Sequence, residues 1–262
     1  MTSSAPTTTS TFPRSSSSSV PGPVLRLGAG GRIAHVVMTS MADGDLAVSG
    51  DPATLETRRR AVVDLPWTWL HQEHGAAVVV VDRPGQHAGE RADAAVSALP
   101  GAALAVQVAD CAPVALVSSA GAVGIAHVGW RGLVAGVLPA AASALMALGE
   151  GIGEVRAVIG PCIHCECYEF GESDLDRVAA VAGDSVRART ADGRAALDLV
   201  AGIEHVARSL GIGCERSPWD SCTSCSAGYW SHRARGDRAR RLGAQPGGDR
   251  HARWLARDVP RR

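Results

Sequence analysis

The sequence predicts an α+β fold, a single domain with a mixed β-sheet core and helices packed on its faces. Three observations predict it. Short runs rich in Ala, Val and Leu or Ile recur at Ile33 to Met38, Ala76 to Val81, Ala103 to Val108, Val114 to Val117 and Val155 to Ile159, each with the length and composition of a buried strand. Longer stretches at Thr54 to Leu65, Leu133 to Leu148, Leu175 to Ala182 and Leu197 to Leu210 read as helices. With 262 residues and 46% hydrophobic side chains, the chain can bury a sizeable core.

Residues 1–23 are mostly Ser, Thr and Pro, and Arg14 is their only charged side chain. Such a stretch buries too little apolar surface to offset its ordering entropy, so a disordered tail is expected, with residues 24–262 forming the domain. It lacks the continuous apolar segment of a secretory signal. Gly28-Ala29-Gly30-Gly31 lacks the third glycine of a dinucleotide loop and reads as a turn. Pro66 ends the first helix, Arg83 to Ala92 is a polar loop, and Ala94 to Leu99 leads into the central stretch. The last thirty residues, rich in Arg and Gly, are expected to give a short strand and a solvated tail.

Composition excludes several function classes. The formal net charge is zero, which argues against a general nucleic-acid binder or a membrane-surface protein. All 26 basic residues are Arg, so Schiff-base and P-loop chemistry are excluded with the missing Lys. No apolar run approaches ~20 residues, so no transmembrane helix is expected. Seven Cys in a long chain with a good core fit free thiols or metal ligands in a reducing, cytoplasmic compartment.

The chemistry concentrates between Gln107 and Gly132. Asp110-Cys111 would close one apolar strand and His127 another close by. Two readings are open: a buried structural Cys with a satisfied core His, or a thiolate and an imidazole facing one space. Gly129 and Gly132 then bracket Trp130 and Arg131 ahead of the helix, so Arg131 stands near a helix N-terminus. It either holds an anion such as phosphate or merely covers Trp130. Upstream, His71 and His74 both carry metal-ligating rings, but the stretch leads straight into a strand and the two are expected to diverge. Gly75 suggests a tight turn that could aim His74 at a site, although taken alone His74 reads better as a solvated turn residue.

Two C-x-x-C pairs, Cys162/Cys165 and Cys222/Cys225, offer a zinc-ribbon pattern. Their separation is much longer than in a compact ribbon, and His164 and Cys167 crowd the first pair. Ordinary thiols are expected there.

Six short motifs occur together and in order: Gln72-Glu73-His74-Gly75, Ala109-Asp110-Cys111, His127-Val128-Gly129-Trp130-Arg131-Gly132, Ile159-Gly160-Pro161, Tyr168-Glu169 and Cys222-Thr223. On them the chain, over about Leu46 to Gly243, resembles the laccase-domain family, once called multicopper polyphenol oxidases and now read as zinc-dependent purine nucleoside phosphorylases. The resemblance implies zinc ligands at His74, Cys111 and His127, and adenosine, inosine, methylthioadenosine and phosphate as substrates, with adenosine deamination as a second activity. It implies substrate contacts at Gln72, Arg58 and Arg131, catalytic roles for Cys111, Asp110 and Arg131, and allows a homodimer. The chain departs from the family at Asp45-Leu46, Thr57-Arg58 and Arg241-Leu242-Gly243, while Ser231 and Arg233 fit. These departures bear on substrate-side contacts, not on the metal set.

Two imidazoles and one thiolate on zinc leave a fourth tetrahedral position open, the pattern of a catalytic site. Asp110 either serves as general acid and base or orients a zinc ligand from behind, the second being favoured. Alternatives use the same residues. One is a cysteine hydrolase or amidase editing peptidoglycan precursors, with Cys111 as nucleophile and His127 as base. A copper polyphenol oxidase is disfavoured, because nine His in all are few for several coppers. A non-enzymatic zinc-stabilised module would need a closed fourth position, from Cys162 or Cys222.

Overall fold

The computed structural model describes residues 24–27, 32–149, 152–234 and 252–260. The expected tail, the turn at Gly28 to Gly31 and the Arg241-Leu242-Gly243 segment lie outside the described residues.

Two six-stranded mixed sheets form the centre of an α+β domain. The first has the spatial order β1 (Val24–Leu27), β2 (Arg32–Met38), β14 (Ala252–Pro260), β7 (Ala103–Val108), β3 (Trp67–His71), β5 (Glu90–Arg91). The second has β13 (Gly213–Arg216), β10 (Val155–Ile159), β8 (Ala112–Ser118), β9 (Val123–Val128), β6 (Ala94–Ser97), β4 (Val78–Val80). Pairing is parallel at β3 with β7 and β5, at β4 with β6, and at β10 with β13, and antiparallel elsewhere in the two sheets. A small hairpin, β11 (Arg187–Arg189) with β12 (Ala195–Leu197), stands apart.

The continuous apolar runs have a simple cause: the central strands are covered on both faces. Along β8, Ala112, Val114 and Leu116 join a cluster with the helices, while Ala115 and Val117 join one with the other sheet. In β7, Leu104, Val106 and Val108 face the second sheet, and Ala103 and Ala105 pack with Leu46, Val62 and Trp67. The result is four layers. Helix α1 (Pro52–Val62) covers the first sheet, and α2 (Trp130–Ala135), α3 (Val137–Met146), α4 (Glu172–Ala182) and α5 (Leu199–Ser209) cover the second. Among the described residues no helix is long and apolar enough to cross a membrane.

Three element expectations are revised. The first helix starts earlier than Thr54, because the Asp51 carboxylate accepts the Thr54 N–H at 2.8 Å and Pro52 suits the first helical position. The helix expected over Leu133 to Leu148 is two helices. Gly136, at φ 86°, takes a left-handed conformation that few other residues adopt cheaply and divides α2 from α3. The strand of the last thirty residues is nine residues long and central, lying between β2 and β7.

Leu116 is fully buried between the second sheet and the helices. Leu116→Ala is expected to cost about 2–5 kcal/mol in urea unfolding, and a loss well under 1 kcal/mol would show that the helical layer collapses into the void.

Candidate metal centre

β8 and β9 pair antiparallel with Pro113 opposite His127. Side chains two residues apart on an extended chain share a face. Cys111, two residues ahead of Pro113, therefore projects to the same side as His127. β9 also pairs with β6, and Asp93, just ahead of β6, accepts the His127 backbone N–H through its carbonyl at 2.8 Å. The Asp93 carboxylate then accepts from His127 Nδ1 at 2.8 Å. This leaves His127 Nε2 free to act as a ligand.

The same carboxylate accepts three consecutive backbone N–H groups, from Glu73 at 3.1 Å, His74 at 2.9 Å and Gly75 at 2.7 Å. They close the turn after β3. Within it His74 sits at φ 58°, the left-handed region, which tips its ring toward His127; the ring centroids are 4.8 Å apart and edge to face. The tight turn expected from Gly75 is present, but the left-handed residue is His74 itself. The donor atoms of His74, Cys111 and His127 all lie within 4.8 Å of one another. His71 does diverge from this group, its ring lying edge to face with Trp69.

Burial alone pushes the Cys111 thiol up. The charge of His127 and hydrogen bonds with His127 and His74 more than offset this and bring it down to about 6. Burial lowers His127, while the Cys111 charge and the Asp93 hydrogen bond raise it to about 9. Asp93 stays below the usual carboxylate range: burial works against it, and its bond to His127 and the turn amides outweigh burial. The metal-free chain thus holds a thiolate beside an imidazolium. Two imidazoles and a thiolate with one face open suit a borderline-soft dication, zinc above all.

Gly129 is at φ −87°, so its conformation alone does not demand glycine. Space does: a Cβ there would lie 2.7 Å from Cys111 Sγ and 3.1 Å from His74 Cδ2.

The three donors lie on the wall of a cavity of about 600 Å³, lined also by Gln72, Gln107, Asp110, Trp130, Arg131, Tyr168, His232 and Arg233. Asp110, at φ 89°, has both carboxylate oxygens engaged, one by the Thr223 hydroxyl at 2.8 Å and one by the Arg233 backbone N–H at 2.7 Å. Gln72 lines the cavity, but its amide exchanges two bonds with the Gln107 backbone, at 2.6 and 2.7 Å. Arg58 is not brought to the cavity lining; it donates to the Asp45 carbonyl at 2.5 Å and packs under Gly44. Arg131 is the second residue of the six-residue α2, not the start of a long helix, and its guanidinium lies 4.4 Å from the Trp130 ring centroid. Among the described residues no carboxylate pairs with it. Sequence reasoning missed Asp93. Its one signal was a lone acid directly ahead of an apolar strand.

Gly129→Ala should weaken metal binding by about 10–100-fold, as loss of a ligand's support does, in a chelator competition; unchanged affinity would mean that Cys111 and His74 shift at little cost. In metal-free protein, Cys111 is a thiolate above about 6 and a thiol below it. Iodoacetamide labelling of Cys111 should therefore rise with a midpoint near that pH, and a midpoint at the unperturbed value of about 8.5 would show that the imidazoles do not hold the thiolate.

The multi-copper polyphenol oxidoreductase laccase model matches residues 34–245. A purine nucleoside phosphorylase of Streptomyces coelicolor is 40% identical over 195 residues, 71% of this chain and 80% of that protein. One of Mycobacterium tuberculosis is 35% identical over 194 residues, 71% and 76% of the two chains. An adenosine deaminase from an unknown prokaryotic organism is 31% identical over 153 residues, 54% and 58% of the two. In fold, the chain is similar to a Neisseria meningitidis crystal structure, with TM-score 0.72, 23% identity and coverage of 90% of this chain and 99% of that one. With its ligand-bearing strands and turn inside the matched region, the chain belongs to the multi-copper polyphenol oxidoreductase laccase family.

Proposed function

We propose that this chain is a zinc-dependent purine nucleoside phosphorylase that also deaminates adenosine, with adenosine, inosine and methylthioadenosine as its substrate class. It would act in the cytoplasm, where its seven free thiols persist. Relatives bearing both activity names support the reading. The observation that carries it is the joint lining of one cavity by a three-donor group and two arginines, Arg131 and Arg233. A cavity of about 600 Å³ admits a nucleoside together with phosphate.

A zinc ion held by His74, Cys111 and His127 would supply Lewis acidity toward the purine or its attacking water through a fourth coordination position. The chain's own side chains do the rest. Phosphorolysis joins a phosphate oxygen to C1′ of the ribose as the purine leaves with the glycosidic electron pair. Phosphate needs a fixed counter-charge and directed donors. Arg131 has its guanidinium stacked on Trp130 and uncommitted to any described carboxylate, so its planar fork is free for two parallel bonds. A six-residue helix adds little dipole, so the grip on the anion rests on the guanidinium. Arg233 lies over the Tyr168 ring at 5.3 Å and donates to the Glu169 carbonyl. Asp110 accepts from Thr223 and Arg233, one bond on each oxygen, and so positions those two segments beside the cavity.

The thiolate beside an imidazolium favours a second reading, an amidase acting on peptidoglycan precursors with Cys111 as nucleophile. The two differ in metal dependence. Zinc protects a ligand thiolate from alkylation, whereas a nucleophile works and is alkylated without metal.

Adenosine with phosphate is expected to give adenine and ribose 1-phosphate, with inosine as a slower product. Arg131→Lys keeps charge but loses the fork, so KM for phosphate should rise at least about tenfold while deamination stays nearly intact. Adenosine turnover indifferent to phosphate would sink the phosphorylase reading. Equal loss of both reactions would mean that Arg131 contacts the nucleoside.

A further inference from the structure

Away from the cavity wall, a second set of ligand-type side chains converges. The two sequence pairs do not meet as four cysteines. Cys162 is fully buried in the helical core, and Cys165 Sγ lies 3.9 Å from Glu166 Oε2. Instead Glu166 and Cys167, from a 3-10 turn after β10, face Cys222 and Cys225 from the loop after β13. One carboxylate oxygen and three sulfurs lie within 4.8 Å of one another, and Cys167 Sγ is 2.8 Å from Cys225 Sγ. The residues bridged are 58 positions apart.

The Cys222 side chain is buried, and its sulfur accepts the His164 backbone N–H at 3.4 Å, while burial pushes the thiol up. The Cys222 carbonyl accepts the Ser226 N–H at 2.9 Å and closes the turn that brings Cys225 back beside it. A backbone N–H aimed at a buried sulfur is better matched to a metal-bound thiolate than to a neutral thiol, which is a weak acceptor.

We propose that Glu166, Cys167, Cys222 and Cys225 form a second, structural metal site that takes zinc. Three thiolates and a carboxylate complete a tetrahedron, with no position left for water or substrate. Sulfur donors select zinc over magnesium, calcium or manganese. Binding exchanges three thiol protons for one Zn²⁺, forming three Zn–S bonds and one Zn–O bond with no change of oxidation state. Zn–S distances of about 2.3 Å at tetrahedral angles hold sulfurs about 3.8 Å apart, so the Cys167–Cys225 pair must open by about 1 Å. Cys225 is exposed and has the room. The site acts as a staple. Cys167 adjoins Tyr168 of the cavity, and Cys222 adjoins Thr223, whose hydroxyl donates to Asp110 beside Cys111. The staple would fix the cavity wall that these residues build, without touching substrate.

The test is zinc stoichiometry by elemental analysis of full-length protein, reduced, saturated with zinc alone and desalted. Wild-type should carry about two zinc ions per chain, and Cys225→Ser should carry one fewer. Cys167→Ser should do the same, and it covers the case in which one loop tolerates serine. His74→Ala reports the other centre, so failure of that centre lowers every total by one but leaves the Cys225→Ser difference intact. Cobalt(II) loading adds a spectroscopic readout: the intense sulfur-to-cobalt band of a three-thiolate site should survive in His74→Ala and vanish in Cys225→Ser. Equal zinc content in wild-type, Cys225→Ser and Cys167→Ser would overturn the proposal. So would zinc-saturated protein in which Cys167 and Cys225 alkylate as fast as in the denatured chain, or a Cys167–Cys225 disulfide that persists under reductant.

Discussion

One buried carboxylate holds the candidate centre together. Asp93 is almost completely excluded from solvent, and leaving it ionised without partners would cost several kcal/mol. It receives four N–H donors, three from the turn at Glu73 to Gly75 and one from the His127 ring. Removing it would leave those amides unsatisfied and release His74 from its left-handed conformation, which costs about 1–3 kcal/mol to hold. It also fixes which His127 nitrogen is available. One residue thereby sets the turn, the tautomer and the separation of the two imidazoles, and only Cys111 is placed independently, by the register of β8 on β9.

Asp110 repeats the device on the other side of the cavity. It too is left-handed, it too directs a carboxylate at groups distant in sequence, and the residue after it is the candidate ligand Cys111. Its bonds reach Thr223 and Arg233, both contributed by the last described segment before β14. The cavity is therefore assembled from regions far apart in the chain, among them Gln72 to His74, Gln107 to Cys111, His127 to Arg131, Tyr168 and His232 with Arg233. Stability of the core and geometry of the site are coupled through these two carboxylates.

Much of this is legible in the sequence, and what is not has a physical reason. Buried strands such as β7 and β10 announce themselves because both faces are covered and nothing polar interrupts them. Cys111 and His127 were expected near one another from their places at strand ends, and His74 joined them through the family resemblance. Asp93 did not stand out, because its worth comes from three backbone amides and a ring that no local pattern connects. Arg58, a basic residue in a recognised helix motif, lies outside the cavity lining and bonds its neighbouring loop through the Asp45 carbonyl. The second cysteine group was half visible. The C-x-x-C spacing drew attention to Cys162 and Cys165, but Cys162 turns into the core and Cys167 takes its place beside Cys222 and Cys225.

The family's oxidase label sits uneasily with the donors present. Electron transfer among several coppers needs several closely spaced sites rich in imidazole. Among the described residues only one ligand group contains histidine, and it contains two. The other group offers sulfur and a carboxylate and no histidine; the His164 ring beside it has Nε2 engaged with Asp220 at 3.0 Å and Nδ1 at 3.7 Å from Glu166. Two imidazoles and one thiolate beside two arginines fit the polarising of one substrate bond better than the passing of electrons. Ligand count and charge alone favour this, in agreement with the nucleoside chemistry named for the relatives.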